Sequence, residues 1–387
     1  MRFCRSGRRI SNVSNAIHEQ PARIVSMRLS LRRILGSTAG ARDAQHHWPI
    51  RIGLLLELRL GSWRGLGEAS PLPGLSRDSL ADTEDALATL DLAALEHALQ
   101  IATTADALKA AAALLPRSLP SARMALETAV LDLRGRQQRL SAPVLLGAQH
   151  DGERALAWLV GVQNEHSLDR MRRAAQQGYR HFKVKMGCTE NLDAEIVGIR
   201  RLRSALGARP RLRLDANRGW AEAAAASACR QLESLDVEFL EEPSSTWTLP
   251  AAASPTTPRR LDTQIPLALD ESLAGLDAAD LEALVQLSGA RVLILKPMVL
   301  GGLSHCLDLG RRAAALGMEA VVSHSFDGPV ALAAAAALAL ALPTRLAQGL
   351  APHAGLGAWR CVPLPIHDAT LRTWKTPGIG FSMEQFA

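Results

Sequence analysis

Aromatic side chains are scarce in this sequence: they make up 4% of the 387 residues, and only one is a tyrosine. The five cysteines are scattered and form no CxxC pair. Their arrangement excludes a zinc ribbon or a disulfide scaffold and predicts reduced thiols in a cytoplasmic protein. The longest apolar run, Val330 to Leu342, is shorter than the roughly 20 residues that cross a bilayer. The sequence therefore predicts no membrane partner.

Acidic residues are too few to balance the basic ones, and the net charge is +6. Most of the excess lies in residues 1–42, which hold nine arginines and one acid. No basic helix interleaved with aromatic side chains occurs elsewhere, so the sequence predicts no nucleic-acid partner. We interpret residues 1–26 as a disordered extension, or as the result of an upstream start codon with Met27 as the working start. An organellar transit peptide is the alternative.

The chain up to about residue 140 has an α+β pattern. The segment IRIGLLLELRL (50–60) predicts a strand, and GLGEASPLPGLS (65–76) predicts a loop. Residues 79–140 are rich in Ala and Leu at helical spacing and predict two or three helices. Ser76 or Ser79 is placed to cap the first of them.

Beyond residue 150, short apolar runs alternate with amphipathic helical stretches. Eight runs at this spacing predict a closed β/α barrel. A doubly wound open sheet would carry a Gly-rich phosphate loop after its first strand, and none is present. The eight runs are 155–161, 181–186, 211–217, 237–243, 266–272, 291–297, 319–325 and 345–350.

Ionisable residues end five consecutive runs. From Lys185 onward their spacing is 30, 26, 29 and 26 residues, about one β/α unit each. Because the C-terminal ends of barrel strands face one mouth, we expect these side chains to converge there. They are Lys183 and Lys185 on the second run, Asp215 on the third, Glu241 on the fourth, Asp270 on the fifth and Lys296 on the sixth.

This set of side chains indicates a particular chemistry. Three carboxylates from neighbouring strands are hard oxygen ligands and predict a Mg²⁺ site, with Mn²⁺ as a substitute. A cation and other ammonium groups disfavour protonation of a lysine, which can then act as a general base. Such a base beside a metal suits removal of a proton α to a carboxylate. A single acid after a strand is often only a helix N-cap, but capping does not account for five matched positions.

The motifs KxK, LDAN, LEEP, LDES and LKP resemble the enolase superfamily, in its muconate-lactonizing subgroup. The segments 65–80 and 120–133, with LKPMVLGGL and VVSHSFDGPVAL, further resemble the o-succinylbenzoate synthase family. The resemblance implies an α/β fold in which an α+β capping domain covers a (β/α)₇β TIM-like barrel. The resulting division is an extension (1–26), the capping domain (27–140), the barrel (141–350) and a C-terminal segment (351–387) that packs on the capping domain.

The resemblance also implies an activity. It is the dehydration of the small-molecule carboxylate 2-succinyl-6-hydroxy-2,4-cyclohexadiene-1-carboxylate to o-succinylbenzoate, in menaquinone biosynthesis. Lys185 would abstract the α-proton and protonate the departing hydroxide, while Lys296 would stabilise the enediolate. Lys183 would hold Lys185 and the substrate carboxylate in place. Asp215, Glu241 and Asp270 would ligate Mg²⁺, and the further substrate contacts would be Arg213, Asn217, Ser323 and Gly349.

The chain departs from the family pattern at three places. SHSFDG replaces a Ser/Thr stretch with a glutamate, so that His324 is inserted and Asp327 takes the place of the acid. We assign no role to His324. An insertion (244–258) lengthens the fourth βα loop, and Gly349 is preferred on spacing over the stretch AGLGAW (354–359) after the last strand.

Other functions stay open at this point. An N-acylamino acid racemase or dipeptide epimerase of the same superfamily also uses two lysines that face each other across the substrate. Dipeptide epimerases typically carry a DxD motif near the last strand, which RLAQGLAPHAG lacks. A barrel that binds or scaffolds without catalysis would not need both lysine positions and all three acids. The oligomeric state is not encoded in any motif.

Overall fold

The computed structural model describes residues 27–37, 48–189, 191–244, 260–352, 356 and 364–381. The predicted extension (1–26), the insertion beyond Ser244 and most of AGLGAW lie outside these residues.

An antiparallel sheet begins the described chain. Strand β1 (Met27–Ser37) pairs with β2 (Ile50–Leu60), which pairs with β3 (Trp63–Ala69). The loop predicted for residues 65–76 is therefore wrong at its start, where β3 runs. Its glycines permit close contact with a helix: a Cβ at Gly67 would lie 1.9 Å from the carbonyl oxygen of Ala125.

Four helices cover this sheet, where two or three were predicted. Ser79 caps the first, as expected, in a capping box with Asp82. Pro120 is the first residue of the last helix, a position that suits proline because a helix N-terminus has no use for the missing N–H. The helices are α1 (Leu80–Ala88), α2 (Leu92–Leu99), α3 (Thr104–Ala113) and α4 (Pro120–Gln138).

A short helix α5 (Ala142–Leu146) and strand β4 (Glu153–Ala155) lead into a curled sheet of seven parallel strands in sequential order. The strands are β5 (Ala157–Val162), β6 (His181–Lys185), β7 (Arg211–Asp215), β8 (Val237–Glu241), β9 (Leu267–Leu269), β10 (Val292–Leu295) and β11 (Glu319–Val322). The helices that follow them are α6 (Ser167–Gln176), α7 (Leu192–Leu206), α8 (Glu222–Leu232), α9 (Leu281–Ser288), α10 (Pro297–Leu300), α11 (Leu303–Ala315) and α12 (Pro329–Ala341).

Two residues close the barrel without a full strand. The carbonyl oxygen of Gln348 accepts from the N–H of Ala157 at 2.9 Å, and Gly349 forms a parallel bridge with Ser323. A Cβ at Gly349 would lie 2.9 Å from Ser323 Oγ, so glycine allows this approach. The prediction of a regular strand at 345–350 is wrong, but the barrel does close within these residues. The (β/α)₇β barrel with its N-terminal α+β unit is confirmed.

Helix α12 is buried on all sides, which explains why its sequence is almost entirely Ala and Leu. It packs between α5, β3 and the barrel. No helix in the described ranges is long and apolar enough to span a membrane.

The C-terminal segment contacts two parts of the molecule. Strands β12 (Ile366–His367) and β13 (Thr370–Arg372) extend β4 into a small antiparallel sheet. Further on, the N–H of Ile379 donates to Asp132 Oδ1 of α4 at 2.9 Å. The domain limits drawn from the sequence stay predictions.

Candidate active site

The geometry of strand β6 places Lys183 and Lys185 on the same face. Phe182 and Val184 are fully buried on one face, and Lys183 and Lys185 occupy the other. Both lysine side chains line one cavity at the C-terminal end of the barrel. The structure therefore brings both lysines to the barrel mouth, where the sequence places them.

Buried acids hold these two lysines. Lys183 Nζ lies 2.8 Å from Asp215 Oδ2 and 2.7 Å from both carboxylate oxygens of Glu241. Lys185 Nζ lies 2.6 Å from the same Asp215 oxygen and 2.8 Å from Asn217 Oδ1. The ends of β6, β7 and β8 therefore form one ionic network at the base of the cavity.

The opposite side of the cavity carries the third lysine. Lys296, directly after β10, pairs with Asp270 at the end of β9. Glu242 fixes the backbone there: its Oε1 accepts from the N–H groups of Asp270 and Ser272, both at 2.8 Å. The other oxygen of Glu242 accepts from Arg218 Nε at 3.2 Å. The ion pair between Glu242 and Arg218 thus fixes the backbone of Asp270, the third acid of the site.

The turn after β7 is strained in a way that serves the site. Asn217 and Arg218 have φ values of 44° and 60°, which non-glycine residues adopt rarely. In this conformation the N–H of Asn217 donates to Asp215 Oδ1 at 2.9 Å. It also places the Asn217 amide 3.2 Å from Glu271 Oε1, so one side chain joins two strand ends.

The carboxylates control the charge of two lysines. Burial lowers the pKa of Lys183, but nearby Asp215 and Glu241 outweigh it and hold that pKa above its usual value. Burial likewise lowers the pKa of Lys296, and Asp270 outweighs it, so this pKa is also raised. The sequence prediction that a lysine here has a lowered pKa and loses its charge applies to a site that holds a cation. With the acids alone, both lysines are charged.

Three buried acids at this site are hard oxygen donors, the ligand type that a divalent cation such as Mg²⁺ prefers. Asp215, Glu241 and Asp270 are at most 5% exposed. Burial and the neighbouring Asp215 and Asp270 carboxylates raise the pKa of Glu241, so this site holds crowded negative charge. Glu271 Oε2 is also buried without a partner among the described residues. As they stand, the described side chains form no group of three or more acids, histidines or cysteines close enough to hold a metal, and Lys183 lies between two of the acids.

The other predicted substrate contacts lie at the same cavity. Arg213, Asn217, Ser323 and Gly349 all line it. Arg213 is 2% exposed, donates to the carbonyl oxygen of Ala347 at 2.7 Å and pairs with Glu238. Its Nη2 has no partner among the residues described. The catalytic and binding roles of these residues stay predictions.

Sequence reasoning missed several residues around the cavity. Leu72, Leu75 and Phe326 line it, as does His324, to which we assigned no role. Large apolar side chains in a Gly/Pro loop were the available signal, but they also suit an ordinary core. Asp327 is 2% exposed, and burial raises its pKa to about 6.

The chain has relatives of several activities. The family model "Enolase C-terminal domain-like" matches residues 166–387. An o-succinylbenzoate synthase from Aliivibrio fischeri is 31% identical over 301 residues, 75% of this chain and 78% of the relative. An L-Ala-D/L-Glu epimerase from Clostridium acetobutylicum is 31% identical over 226 residues, 57% of this chain. That second match spans only 60% of the epimerase.

Solved structures share the fold. The muconate lactonizing enzyme from Pseudomonas fluorescens, complexed with muconolactone, has a TM-score of 0.77 at 21% identity and covers 94% of this chain and 98% of its own. A dipeptide epimerase from Methylococcus capsulatus, complexed with Mg and the dipeptide L-Arg-D-Lys, has a TM-score of 0.71 at 25% identity and covers 92% and 99%. With the family match over more than half its length, the chain belongs to the enzymes of the enolase superfamily, in the muconate-lactonizing subgroup.

Proposed function

We propose that the protein is a Mg²⁺-dependent lyase that dehydrates 2-succinyl-6-hydroxy-2,4-cyclohexadiene-1-carboxylate to o-succinylbenzoate. One observation carries the proposal. Acids at the ends of β7, β8 and β9 lie between lysines from β6 and β10, and all three lysines line one cavity. This arrangement suits removal of a proton α to a carboxylate.

Asp215, Glu241 and Asp270 would hold Mg²⁺, since they are buried oxygen donors at the ends of three neighbouring strands. When bound, Mg²⁺ supplies positive charge that stabilises the negative charge developing on the substrate carboxylate. With these acids holding the metal, Lys183 would no longer pair with Asp215 and Glu241 and would keep its charge beside the substrate carboxylate.

Lys185 is the proposed base and acid. Lys185 Nζ takes the proton from the ring carbon that bears the carboxylate, and the C–H electron pair enters the enediolate. The ammonium group then returns the proton to the hydroxyl on the next ring carbon. The C–O bond breaks, water leaves and the ring becomes aromatic. Lys296 contributes positive charge from the other side of the cavity.

Dehydration has more support than racemisation. The synthase match extends over 75% of this chain, against 57% for the epimerase. The longer match includes part of the N-terminal unit, whose loop residue Leu72 lines the cavity. Arg213 is buried at the cavity wall, and its Nη2, which has no partner in the described part of the chain, offers a charged donor for a second substrate carboxylate.

Racemisation of an N-acylamino acid, or epimerisation of a dipeptide, is the second candidate. The observation in its favour is that Lys185 and Lys296 lie on β6 and after β10 and line the same cavity. Two such lysines can each serve one face of a planar intermediate.

The test is to incubate the purified protein with the cyclohexadiene carboxylate and Mg²⁺ and to follow the aromatic product by absorbance. A parallel reaction with N-succinyl amino acids in D₂O follows loss of optical rotation and deuterium uptake at the α-carbon. We expect turnover of the ring substrate to be the faster reaction. Faster racemisation would reverse the assignment, and absence of both reactions in a folded, Mg²⁺-binding protein would refute it.

A further inference from the structure

A buried arginine of the N-terminal sheet contacts two loops over the cavity. Arg51 lies on β2 between apolar residues, and its charged side chain is only 1% exposed. Its Nη2 donates to the carbonyl oxygen of Ser70 at 2.7 Å and its Nη1 to that of Pro71 at 3.0 Å. Its Nε reaches the carbonyl oxygen of Phe326 at 3.4 Å. One guanidinium therefore joins the cap loop (70–76) to the barrel loop (323–328).

The two loops meet again through their side chains. Leu72 of the cap loop and Phe326 of the barrel loop both line the cavity, and we name this pair the roof. Both pack with Trp48 in a small apolar cluster. The Trp48 indole donates to the carbonyl oxygen of Pro73 at 3.0 Å, and its ring lies 5.8 Å from that of Phe326. The cluster packs the two loops into one unit.

Phe326 is held in a conformation that a free loop would leave. Its φ of 56° is left-handed, a conformation that a bulky residue adopts rarely and at a cost in strain. Arg51 Nε donates to the carbonyl oxygen of Phe326, and the N–H of Phe326 donates to His324 Nδ1 at 3.2 Å. Strain of this kind persists only where the surrounding contacts impose it.

A second residue of the N-terminal sheet holds the end of the barrel loop. Glu68, on β3, is fully buried and accepts from the N–H of Gly328 at 2.6 Å. It also accepts from Val330 at 3.0 Å and Ala331 at 3.2 Å, at the start of α12. The loop is therefore fixed at its end by Glu68, and Arg51 remains the group that joins its middle to the cap loop.

We propose that Arg51 is a positioning residue: it locks the cap loop to the barrel loop, so that Leu72 and Phe326 form one rigid roof against the substrate. A planar guanidinium offers donors in a fork that carbonyl oxygens of both loops can share. A lysine at this site keeps the charge beside Glu68 and Asp327 but has one nitrogen and no fork. Arg51→Lys thus separates geometry from charge.

The first measurement needs no substrate. Hydrogen–deuterium exchange is followed in peptides that cover the cap loop and the barrel loop, in wild type and in Arg51→Lys. We expect exchange to accelerate at least about tenfold in both loops, because one lysine nitrogen cannot replace the three hydrogen bonds that Arg51 donates to them. Arg59→Lys is the matched control, since Arg59 lies on the same strand and bonds Glu57 at 2.9 Å. Acceleration in neither loop, or in only one, overturns the proposal.

The second measurement uses whichever substrate the enzyme turns over. KM should rise about tenfold in Arg51→Lys, with a much smaller change in kcat, and remain normal in Arg59→Lys. If Arg51 acts through the roof, its effect on KM and that of Leu72→Ala will not add in the double variant. Additive effects would show that Arg51 acts elsewhere.

Phe326→Gly keeps the test decisive if Arg51→Lys does not fold. Glycine accepts a φ of 56° without strain and leaves the carbonyl oxygen for Arg51. We expect a folded enzyme with slow exchange in the cap loop and a raised KM. An unchanged KM would show that the roof does not contact the substrate and would overturn the proposal.

Discussion

Lys183 and Lys185 share one carboxylate oxygen: their Nζ atoms lie 2.8 and 2.6 Å from Asp215 Oδ2. Two ammonium groups side by side repel each other, and a buried counter-charge between them offsets that repulsion. The same geometry acts on the acid. Burial raises the pKa of Asp215, but the two lysines outweigh it and hold that pKa well below its usual range. Asp215 is therefore ionised, and it also sets the position of both lysines.

We expect activity to depend on a hard divalent cation. EDTA should abolish turnover, and Mg²⁺ or Mn²⁺ should restore it, because the proposed ligands Asp215, Glu241 and Asp270 offer only oxygen. Calorimetry should show Mg²⁺ binding to wild type and its loss in Asp215→Asn. Restoration by Zn²⁺ alone would contradict this ligand set.

Glu242 should contribute to metal affinity without touching the metal. It accepts the N–H groups of Asp270 and Ser272, and Gln at this position loses one acceptor while keeping the shape. We expect Glu242→Gln to weaken Mg²⁺ binding about 10–100-fold by calorimetry. Glu233→Gln is the control, because Glu233 likewise accepts a backbone N–H, from Gln264 at 3.0 Å, in an exposed place outside the cavity. Equal affinities in both variants would remove Glu242 from this role.

The charged part of the site could be predicted from the sequence, since barrel geometry fixes where strand ends lie. Lysines and acids one β/α unit apart must meet at one mouth, whatever the loops do. That Lys183 and Lys185 lie on one face of β6 follows from the two-residue period of a strand. Their contact with a common oxygen of Asp215 does not, because spacing along the chain carries no side-chain distances.

The missed features depend on contacts between distant segments. Gly65 and Gly67 suggested a turn, but the space that they leave is filled by α4. Gly349 belongs to a bridge with Ser323 that is too short to give a strand pattern. Arg51 lies in the segment predicted as a strand (50–60), and only the folded chain places its side chain between two loops.

A buried glutamate should make folding stability depend on pH. Glu127 on α4 is fully buried and accepts the N–H of Ser304 at 2.9 Å, and burial raises its pKa from 4.5 to about 7. The folded state holds a proton that the unfolded chain releases, so this stabilisation is complete below about pH 4.5 and is lost as pH rises towards 7. The shift corresponds to about 3 kcal/mol.

Urea unfolding of wild type and Glu127→Gln at pH 5 and pH 8 measures this contribution. We expect the free energy of unfolding of wild type to fall by about 3 kcal/mol more than that of the variant between these values. Glu222→Gln, at an exposed position on α8, should behave like wild type. If Glu127→Gln keeps the full pH dependence, other groups carry it.

The two lysine sides of the cavity should separate dehydration from racemisation. In the proposed dehydration Lys185 performs both proton transfers, so Lys185→Ala should lose several orders of magnitude in kcat, since general acid–base help is worth about 10²–10⁴-fold and acts twice. Lys296 contributes charge, and Lys296→Arg keeps the charge but cannot release a proton near pH 7. This variant should retain measurable dehydration and lose any racemisation of an N-acylamino acid.

The two reactions are assayed in both variants, with circular dichroism as the check on folding. The assignment rests on an asymmetry: a racemase needs a working base on each face, whereas a syn elimination needs one base on one face. Substantial dehydration by Lys185→Ala would therefore move the base to another residue. Racemisation that survives in Lys296→Arg would mean that the second proton comes from a group other than Lys296, and the cavity residue His324 would then be the next to substitute.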